Sequence, residues 1–132
     1  PYGYYLPTSP LEMIMRNYSN GLHTLVLLDL DPTGMGIDPP VPMLPSQARD
    51  ILEAMFERLE ERGGDREWSI PFSLSEWNTI LLSDIGTINQ RVVSGSLSDI
   101  SKISGGRIHC LILPTLFSGM ELEAFEHHKA DM

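Results

Sequence analysis

A short apolar run, residues 24–28, constrains the fold of this chain more than any other feature. The run has the sequence Thr-Leu-Val-Leu-Leu; the turn pair Asn20-Gly21 precedes it, and two carboxylates, Asp29 and Asp31, follow it. A continuous apolar run of this length predicts a strand buried on both faces, as in the middle of a mostly parallel sheet. In open α/β sheets, ligands bind at the carboxyl ends of the strands. The sequence therefore predicts a ligand site where this strand ends.

Helices and further short strands are predicted on both sides of this run. For the first helix, Ser9 is the predicted cap, Pro10 the first helical residue and Glu12 the partner in a capping box. The alternation of elements predicts the α/β class, as a three-layer domain with a short mixed, mainly parallel sheet flanked by helices. The predicted elements are helices over residues 9–20, 47–62 and 119–129, a Pro- and Gly-rich loop over residues 31–45, a helical turn over residues 97–103, and strands over residues 79–83, 90–93 and 108–113.

Composition and charge exclude several classes of function. The chain has 132 residues, the size of one domain, and 42% of them are hydrophobic, which is enough for a core. Its formal net charge of −9 argues against a nucleic-acid or anionic-membrane partner. No apolar run approaches the roughly 18 residues of a membrane span. Because the chain begins at Pro1 rather than Met, we expect a fragment or a processed chain.

Cysteine and histidine usage predicts neither a disulfide nor a metal site. The single Cys110 rules out an internal disulfide and favours a reducing, cytoplasmic setting. Its apolar neighbours predict a buried, inert thiol. The four histidines lack the paired spacing of metal ligands; they are His23, His109, His127 and His128. The sequence also has no phosphate-binding glycine loop and no nucleophile elbow, so we predict no catalytic side chain.

The two carboxylates allow an alternative function. Residues 27–33, Leu-Leu-Asp-Leu-Asp-Pro-Thr, fit the Asp-x-Asp-x-Thr pattern of haloacid-dehalogenase-type phosphatases. On this hypothesis Asp29 attacks phosphorus and Asp31 acts as acid and base, with Mg²⁺ balancing the charge. Ser83, at the end of the next predicted strand, resembles the second motif of that family. No later strand ends in acidic metal ligands, however, which argues against a magnesium-dependent phosphatase.

A longer series of blocks, in order along nearly the whole chain, resembles a different family. The most specific block is residues 21–29, Gly-Leu-His-Thr-Leu-Val-Leu-Leu-Asp; the others are residues 7–14, 45–55, 82–86, 92–97, 108–114 and 120–123. Together they resemble the carboxyl-terminal half of the diphthine synthase family, within the tetrapyrrole methylase superfamily. The resemblance implies that residues 1–132 form one domain of a two-domain methyltransferase whose amino-terminal domain is absent from this chain.

The resemblance also implies a reaction and a site. It implies transfer of a methyl group from S-adenosylmethionine to the modified histidine of elongation factor 2, in diphthamide biosynthesis, by a homodimeric enzyme. The cofactor would lie in the cleft between the two domains, so we expect the fragment alone to bind it weakly and to be inactive. Carried over by position, Leu28 and Ile85 offer apolar and backbone contacts to the adenosine part, and His109 offers a hydrogen bond. A non-catalytic interaction domain remains a third hypothesis.

Two departures from the family pattern affect the predicted site. The family's Ala-Arg-Ala-Gly is Ser-Asp-Ile-Gly here, so Asp84 replaces an arginine and Ile85 replaces an alanine. A histidine that the family has near the last helix is Ser118. On the family interpretation, Asp29 serves structure through hydrogen bonds to backbone N–H groups at the strand end.

Overall fold

Four α-helices and four strands lie along residues 7–28, 43–62 and 70–129, which the computed structural model describes. In chain order they are α1 (Ser9–Ser19), β1 (Thr24–Leu27), α2 (Pro45–Arg62), β2 (Asn78–Ser83), β3 (Arg91–Ser96), α3 (Leu97–Ile100), β4 (His109–Leu113) and α4 (Gly119–His127), with a 3₁₀ turn at Leu74–Glu76 before β2. The predicted α/β class is confirmed. The predicted loop over residues 31–45 falls mainly outside the described residues. None of the helices described here combines the length and the apolar composition that crossing a bilayer requires.

The first helix begins one position earlier than predicted, at Ser9. Thr8 is the capping residue, and Ser9 is already helical. The hydroxyl of Thr8 donates to the carboxylate of Glu12 over 3.0 Å, so the capping box predicted between Ser9 and Glu12 was wrong. Pro10 still lies in the first turn, where its missing N–H costs no helical hydrogen bond.

All strand pairs of the sheet are antiparallel, so the prediction of a mainly parallel sheet was wrong. The strand order is β1-β4-β2-β3. β1 and β2 run in the same direction, but β4 lies between them and runs the opposite way. β1 is therefore an edge strand rather than the central strand that its apolar run predicts.

The two faces of the sheet are covered by different helices. On one face, Leu81, Leu111 and Leu113 join the core formed with α1, α2 and α3. On the other face, Ile80 and Ile112 line a cavity of about 320 Å³ together with residues of α4. Helices thus lie on both faces, as the three-layer prediction requires.

β1 is exposed on one face and half-buried on the other. Leu25 and Leu27 are 58% and 70% exposed, whereas Leu28, just after the strand, is 7% exposed. The predicted burial of this strand on both faces was therefore wrong, because α4 lies over β3 and β2 rather than over β1. Cys110 pairs with Leu27 on this same face and is half-buried, so the prediction of a buried thiol was also wrong.

A hydrogen-bonded histidine connects α4 to the start of β1. The ring Nδ1 of His23 accepts a hydrogen bond from the backbone N–H of Thr115 over 3.0 Å. The ring proton of neutral His23 therefore lies on Nε2, which donates to Glu121 over 2.8 Å. The other carboxylate oxygen of Glu121 accepts from the backbone N–H of Ser118, the cap of α4. Glu121 thus fixes the start of α4 and holds it against His23.

The pairing of Glu121 predicts an acid-dependent loss of stability. The hydrogen bond from the Ser118 backbone, followed by the bond from His23, lowers the pKa of Glu121 from 4.5 to about 2. Because the pKa is depressed in the folded state, the stabilising contribution is complete above 4.5 and is lost as pH falls towards about 2. We expect Glu121→Gln to remove this part of the pH dependence of the urea midpoint.

The matched control is Glu123→Gln, which removes a carboxylate from the same helix. Glu123 makes no hydrogen bond or ion pair among the described residues. Its variant should keep the wild-type acid dependence of the urea midpoint. Equal midpoint profiles for the two variants would show that the Glu121 contacts do not stabilise the fold.

Candidate functional site

The ends of β1 and β2 and the start of β4 meet at one edge of the sheet, which we call the strand-end edge. The backbone N–H of Leu28 donates to the carbonyl of His109 over 3.1 Å. On the other side of β4, the N–H of Asp84 donates to the carbonyl of Ile108 over 2.8 Å. The three predicted cofactor residues, Leu28, Ile85 and His109, therefore lie on neighbouring backbone segments at this edge.

The side chains of these three residues do not enter one common cavity. Leu28 lines an apolar cavity of about 530 Å³ between α1, β1 and α2, a volume within the usual range of ligand pockets. Ile85 is 52% exposed at the turn after β2. His109 is 1% exposed and faces the core side of the sheet. The structure thus brings the backbones together and separates the side chains.

His109 is a buried imidazole with one partner. Its Nδ1 lies 2.8 Å from the hydroxyl oxygen of Ser83, which faces it across the β2–β4 pair. Its Nε2 is buried and has no hydrogen-bond partner among the described residues. Burial lowers the pKa of His109, and the positive charge of Arg91 lowers it further, against an opposing effect of Asp84. The ring is therefore held neutral, with one polar atom unsatisfied.

Asp84 fastens the end of β2 to the segment that leads into β4. It adopts a left-handed backbone conformation, with φ of 50°. Its carboxylate accepts hydrogen bonds from the backbone N–H groups of Ile108 and Arg107, at 2.9 and 3.2 Å. The bond from Ile108 is the main reason why the pKa of Asp84 is lowered. An arginine, which the family pattern has here, offers no acceptor for these amides.

A polar cleft of about 390 Å³ lies beside this turn. Gly106, at φ +79°, forms part of its wall. A Cβ atom at Gly106 would lie 2.8 Å from Cε1 of His109, the ring carbon between the two nitrogens. The close packing of this backbone against the His109 ring therefore requires a glycine. The remaining lining residues are Ser83, Asp84, Asn89, Arg91 and Arg107.

The remaining candidate residues form no binding site in the part of the chain that the structure describes, or they lie outside it. Asp29 and Asp31, the carboxylates of the phosphatase hypothesis, fall outside the described residues. His127 and His128 are exposed, with their ring centroids 5.0 Å apart. Within residues 7–28, 43–62 and 70–129, no three His, Cys, Asp or Glu side chains are grouped as metal ligands. Ser118, which replaces a family histidine, caps α4.

Two contacts that sequence reasoning missed involve residues it had named for other reasons. The pair of His23 and Glu121 joins two blocks of the family resemblance across 98 positions of sequence. The pair of Ser83 and His109 depends on the register of β2 against β4. The only sequence signal for the pair of Ser83 and His109 is that each is a polar residue at the end of a predicted strand. The sequence alone does not indicate the register of β2 against β4.

Comparison with known proteins supports the resemblance. No family model matches the chain. It is 28% identical over 127 residues to the diphthine synthase of Methanocorpusculum labreanum, covering 96% of this chain and 43% of that protein. It is 27% identical over 118 residues to the diphthine methyl ester synthase of Bos taurus, covering 81% of this chain and 40% of that protein. The chain thus spans less than half the length of these curated relatives.

A solved structure shares the fold. The crystal structure of a putative diphthine synthase from Entamoeba histolytica superposes with a TM-score of 0.74 and 24% sequence identity. The match covers 98% of this chain and 47% of that one. Together with the curated relatives, this confirms the predicted resemblance to the diphthine synthase family.

Proposed function

We propose that this chain is the carboxyl-terminal half of a two-domain, S-adenosylmethionine-dependent methyltransferase of the diphthine synthase type. In this proposal the strand-end edge forms one wall of the cofactor cleft, and Leu28, Ile85 and His109 are the contact residues. The observation that carries the proposal is the buried Nε2 of His109, which has no partner at the edge where these positions meet. A buried polar atom without a partner is rare in native proteins and calls for a missing group.

The residues at this edge fit an adenosine group. Adenosine offers ring nitrogens and ribose oxygens that can pair with the unsatisfied Nε2 of His109. The apolar cavity next to Leu28 suits an apolar portion of a ligand. Ile85 is half-exposed and can contact either the cofactor or the other domain of the longer protein.

The chemistry asks the chain to bind and orient rather than to react. S-adenosylmethionine supplies a methyl group that its sulfonium has already activated, so positioning is the main contribution of the protein. Leu28 excludes water from one wall of the cofactor cleft, and His109 holds the adenosine by a hydrogen bond. Asp84 holds in place the segment that leads into β4. We accordingly assign no catalytic side chain to this chain.

We further propose elongation factor 2 as the protein substrate, at its modified histidine, in the cytoplasm. The names of the curated relatives, diphthine synthase and diphthine methyl ester synthase, support this assignment. A homodimer and an inactive isolated fragment complete the proposal. An alternative outcome, in which the longer protein binds elongation factor 2 and transfers no methyl group, would favour the interaction-domain hypothesis.

Calorimetric titration of the full-length protein with S-adenosylmethionine tests the proposal. We expect saturable heat from the wild type and about tenfold weaker binding by His109→Gln, the cost of about one hydrogen bond to a buried group. The control is His127→Gln, whose ring is exposed at the end of α4. It should bind as the wild type does. The absence of heat from the wild type at millimolar ligand would overturn the proposed function.

A further inference from the structure

The polar cleft beside the strand-end edge, about 390 Å³ in volume, holds more positive than negative charge. Two guanidinium groups line it, those of Arg91 and Arg107. The one carboxylate among its described lining residues, that of Asp84, accepts from backbone N–H groups and forms no ion pair with either arginine. The cleft is therefore a locally cationic surface on a chain whose net charge is −9.

Arg91 is held in place by uncharged partners. Its Nη2 donates to the backbone carbonyls of Ser104 and Gly105 over 2.9 and 3.3 Å. These bonds fix the guanidinium without neutralising its charge. The N–H groups on its Nε and Nη1 have no partner among the described residues. Because a planar guanidinium can bind two oxygens of a carboxylate or phosphate group at once, Arg91 is pre-organised for an oxyanion.

Three further hydrogen-bond donors line the cleft. The guanidinium of Arg107 is exposed and forms no hydrogen bond or ion pair within residues 7–28, 43–62 and 70–129. The side-chain amide of Asn89 and the backbone N–H of Gly106 also lack a partner in this part of the chain. The two guanidinium groups would repel a cation, and an apolar group would displace water from these donors without replacing its hydrogen bonds. The lining of the cleft therefore suits an anion that accepts hydrogen bonds.

We propose that this cleft binds an oxyanion, a carboxylate or phosphate group, through the guanidinium groups of Arg91 and Arg107. Binding of the oxyanion does not depend on the proposed function, but the source of the oxyanion does. The cleft includes Ser83 and Asp84, which lie at the strand-end edge. For a methyltransferase, the oxyanion is therefore either the carboxylate of the cofactor or an acidic group of the protein substrate.

Titration with inorganic phosphate tests the cleft without any cofactor. In ¹⁵N-labelled full-length protein at constant ionic strength, we expect the Nε–H signals of Arg91 and Arg107 to shift together and to saturate. Arg107→Gln should bind phosphate about tenfold more weakly, the cost of one hydrogen bond to a charged group. The control is Lys102→Gln, which removes the same charge from an exposed side chain outside the cleft. It should bind phosphate as the wild type does.

Two nucleosides distinguish the sources of the oxyanion. S-adenosylhomocysteine carries the carboxylate of the cofactor, whereas 5′-methylthioadenosine lacks it. If the cofactor supplies the oxyanion, Arg107→Gln should bind the first about tenfold more weakly and the second unchanged. If the protein substrate supplies it, the affinity for both nucleosides should be unchanged. The variant should then raise the KM for elongation factor 2 and leave the KM for S-adenosylmethionine unaltered.

The outcomes separate this inference from the proposed function. The absence of saturable shifts in the wild type, or equal phosphate affinities for Arg107→Gln and Lys102→Gln, overturns the oxyanion site. If Arg107→Gln weakens only phosphate binding and changes neither nucleoside affinity nor KM, phosphate is an adventitious ion only and the proposal fails. A wild type that neither binds S-adenosylmethionine nor transfers a methyl group overturns the proposed function. The phosphate titration then decides alone whether the cleft binds an oxyanion. Thermal melting followed by circular dichroism checks that each variant is folded.

Discussion

Replacing Trp77 with alanine is expected to lower the free energy of unfolding by about 3–5 kcal/mol. Trp77 is 1% exposed, and its ring packs edge-on against Tyr18 and Phe72 with centroids 5.5 Å from each. Its indole N–H donates to the carbonyl of Pro114 over 2.8 Å. The substitution would open a cavity under β2 and leave this buried carbonyl unpaired. Since domains of this size are stable by about 5–15 kcal/mol, much of the margin would be lost.

Two further variants separate packing from hydrogen bonding at Trp77. Trp77→Phe keeps an aromatic ring but removes the N–H, so it should cost less, about 1–3 kcal/mol for the unpaired carbonyl of Pro114. Ile88→Ala alters a side chain that is 99% exposed and should change stability by less than about 0.5 kcal/mol. Urea unfolding followed by circular dichroism measures all three. A midpoint for Trp77→Ala close to that of Ile88→Ala would contradict the packing described for this ring.

Local signals in the sequence predicted the kind and order of the elements, but not the direction of strand pairing. The run at residues 24–28 is apolar throughout, a pattern that favours burial on both faces. In the structure, Leu25 and Leu27 are exposed, because α4 covers this face of the sheet over β2 and β3 and leaves β1 uncovered. Which strand lies at the edge depends on contacts between elements far apart in the chain. An apolar run alone therefore could not exclude an antiparallel edge strand.

The three predicted cofactor residues lie at one edge of the sheet, although the sheet is not the parallel one that was predicted. A parallel sheet would place the ends of β1 and β2 together. The antiparallel sheet does the same, because β4 lies between them and starts where they end. His109, the first residue of β4, lies beside Leu28 and Ile85 only because β4 runs antiparallel to β1 and β2. Their role in cofactor binding remains a prediction.

The contacts around these residues could not be predicted, because each depends on register or on distant sequence. The bond of Ser83 to His109 requires that β2 and β4 pair with these two residues opposite each other. The backbone N–H groups that donate to Asp84 lie more than twenty positions further along the chain than Asp84 itself. In addition, Asp84 interrupts a family pattern that would have predicted an arginine. Side chains that depart from the pattern thus make the contacts that set the geometry of this edge.

Gly106→Ala is expected to be the most damaging single change at the strand-end edge. The backbone at Gly106 has φ +79°, a region where a residue with a Cβ costs about 1–3 kcal/mol. The new Cβ would also lie 2.8 Å from Cε1 of His109, closer than carbon atoms can approach. Moving the buried ring would cost about 1–3 kcal/mol more. We expect a lower urea midpoint, displaced His109 ring signals and loss of S-adenosylhomocysteine binding by the full-length protein.

The neighbouring glycine provides a matched control for Gly106→Ala. Gly105 has a similar φ of +84°, but the nearest atom to its added Cβ would be a guanidinium nitrogen of Arg91 at 3.9 Å. Gly105→Ala therefore carries the backbone cost without the clash, and it should leave the His109 signals in place. The difference between the two variants in free energy of unfolding measures the contact with the ring. Equal losses, with unchanged His109 signals in both, would mean that Gly106 does not lie against this imidazole.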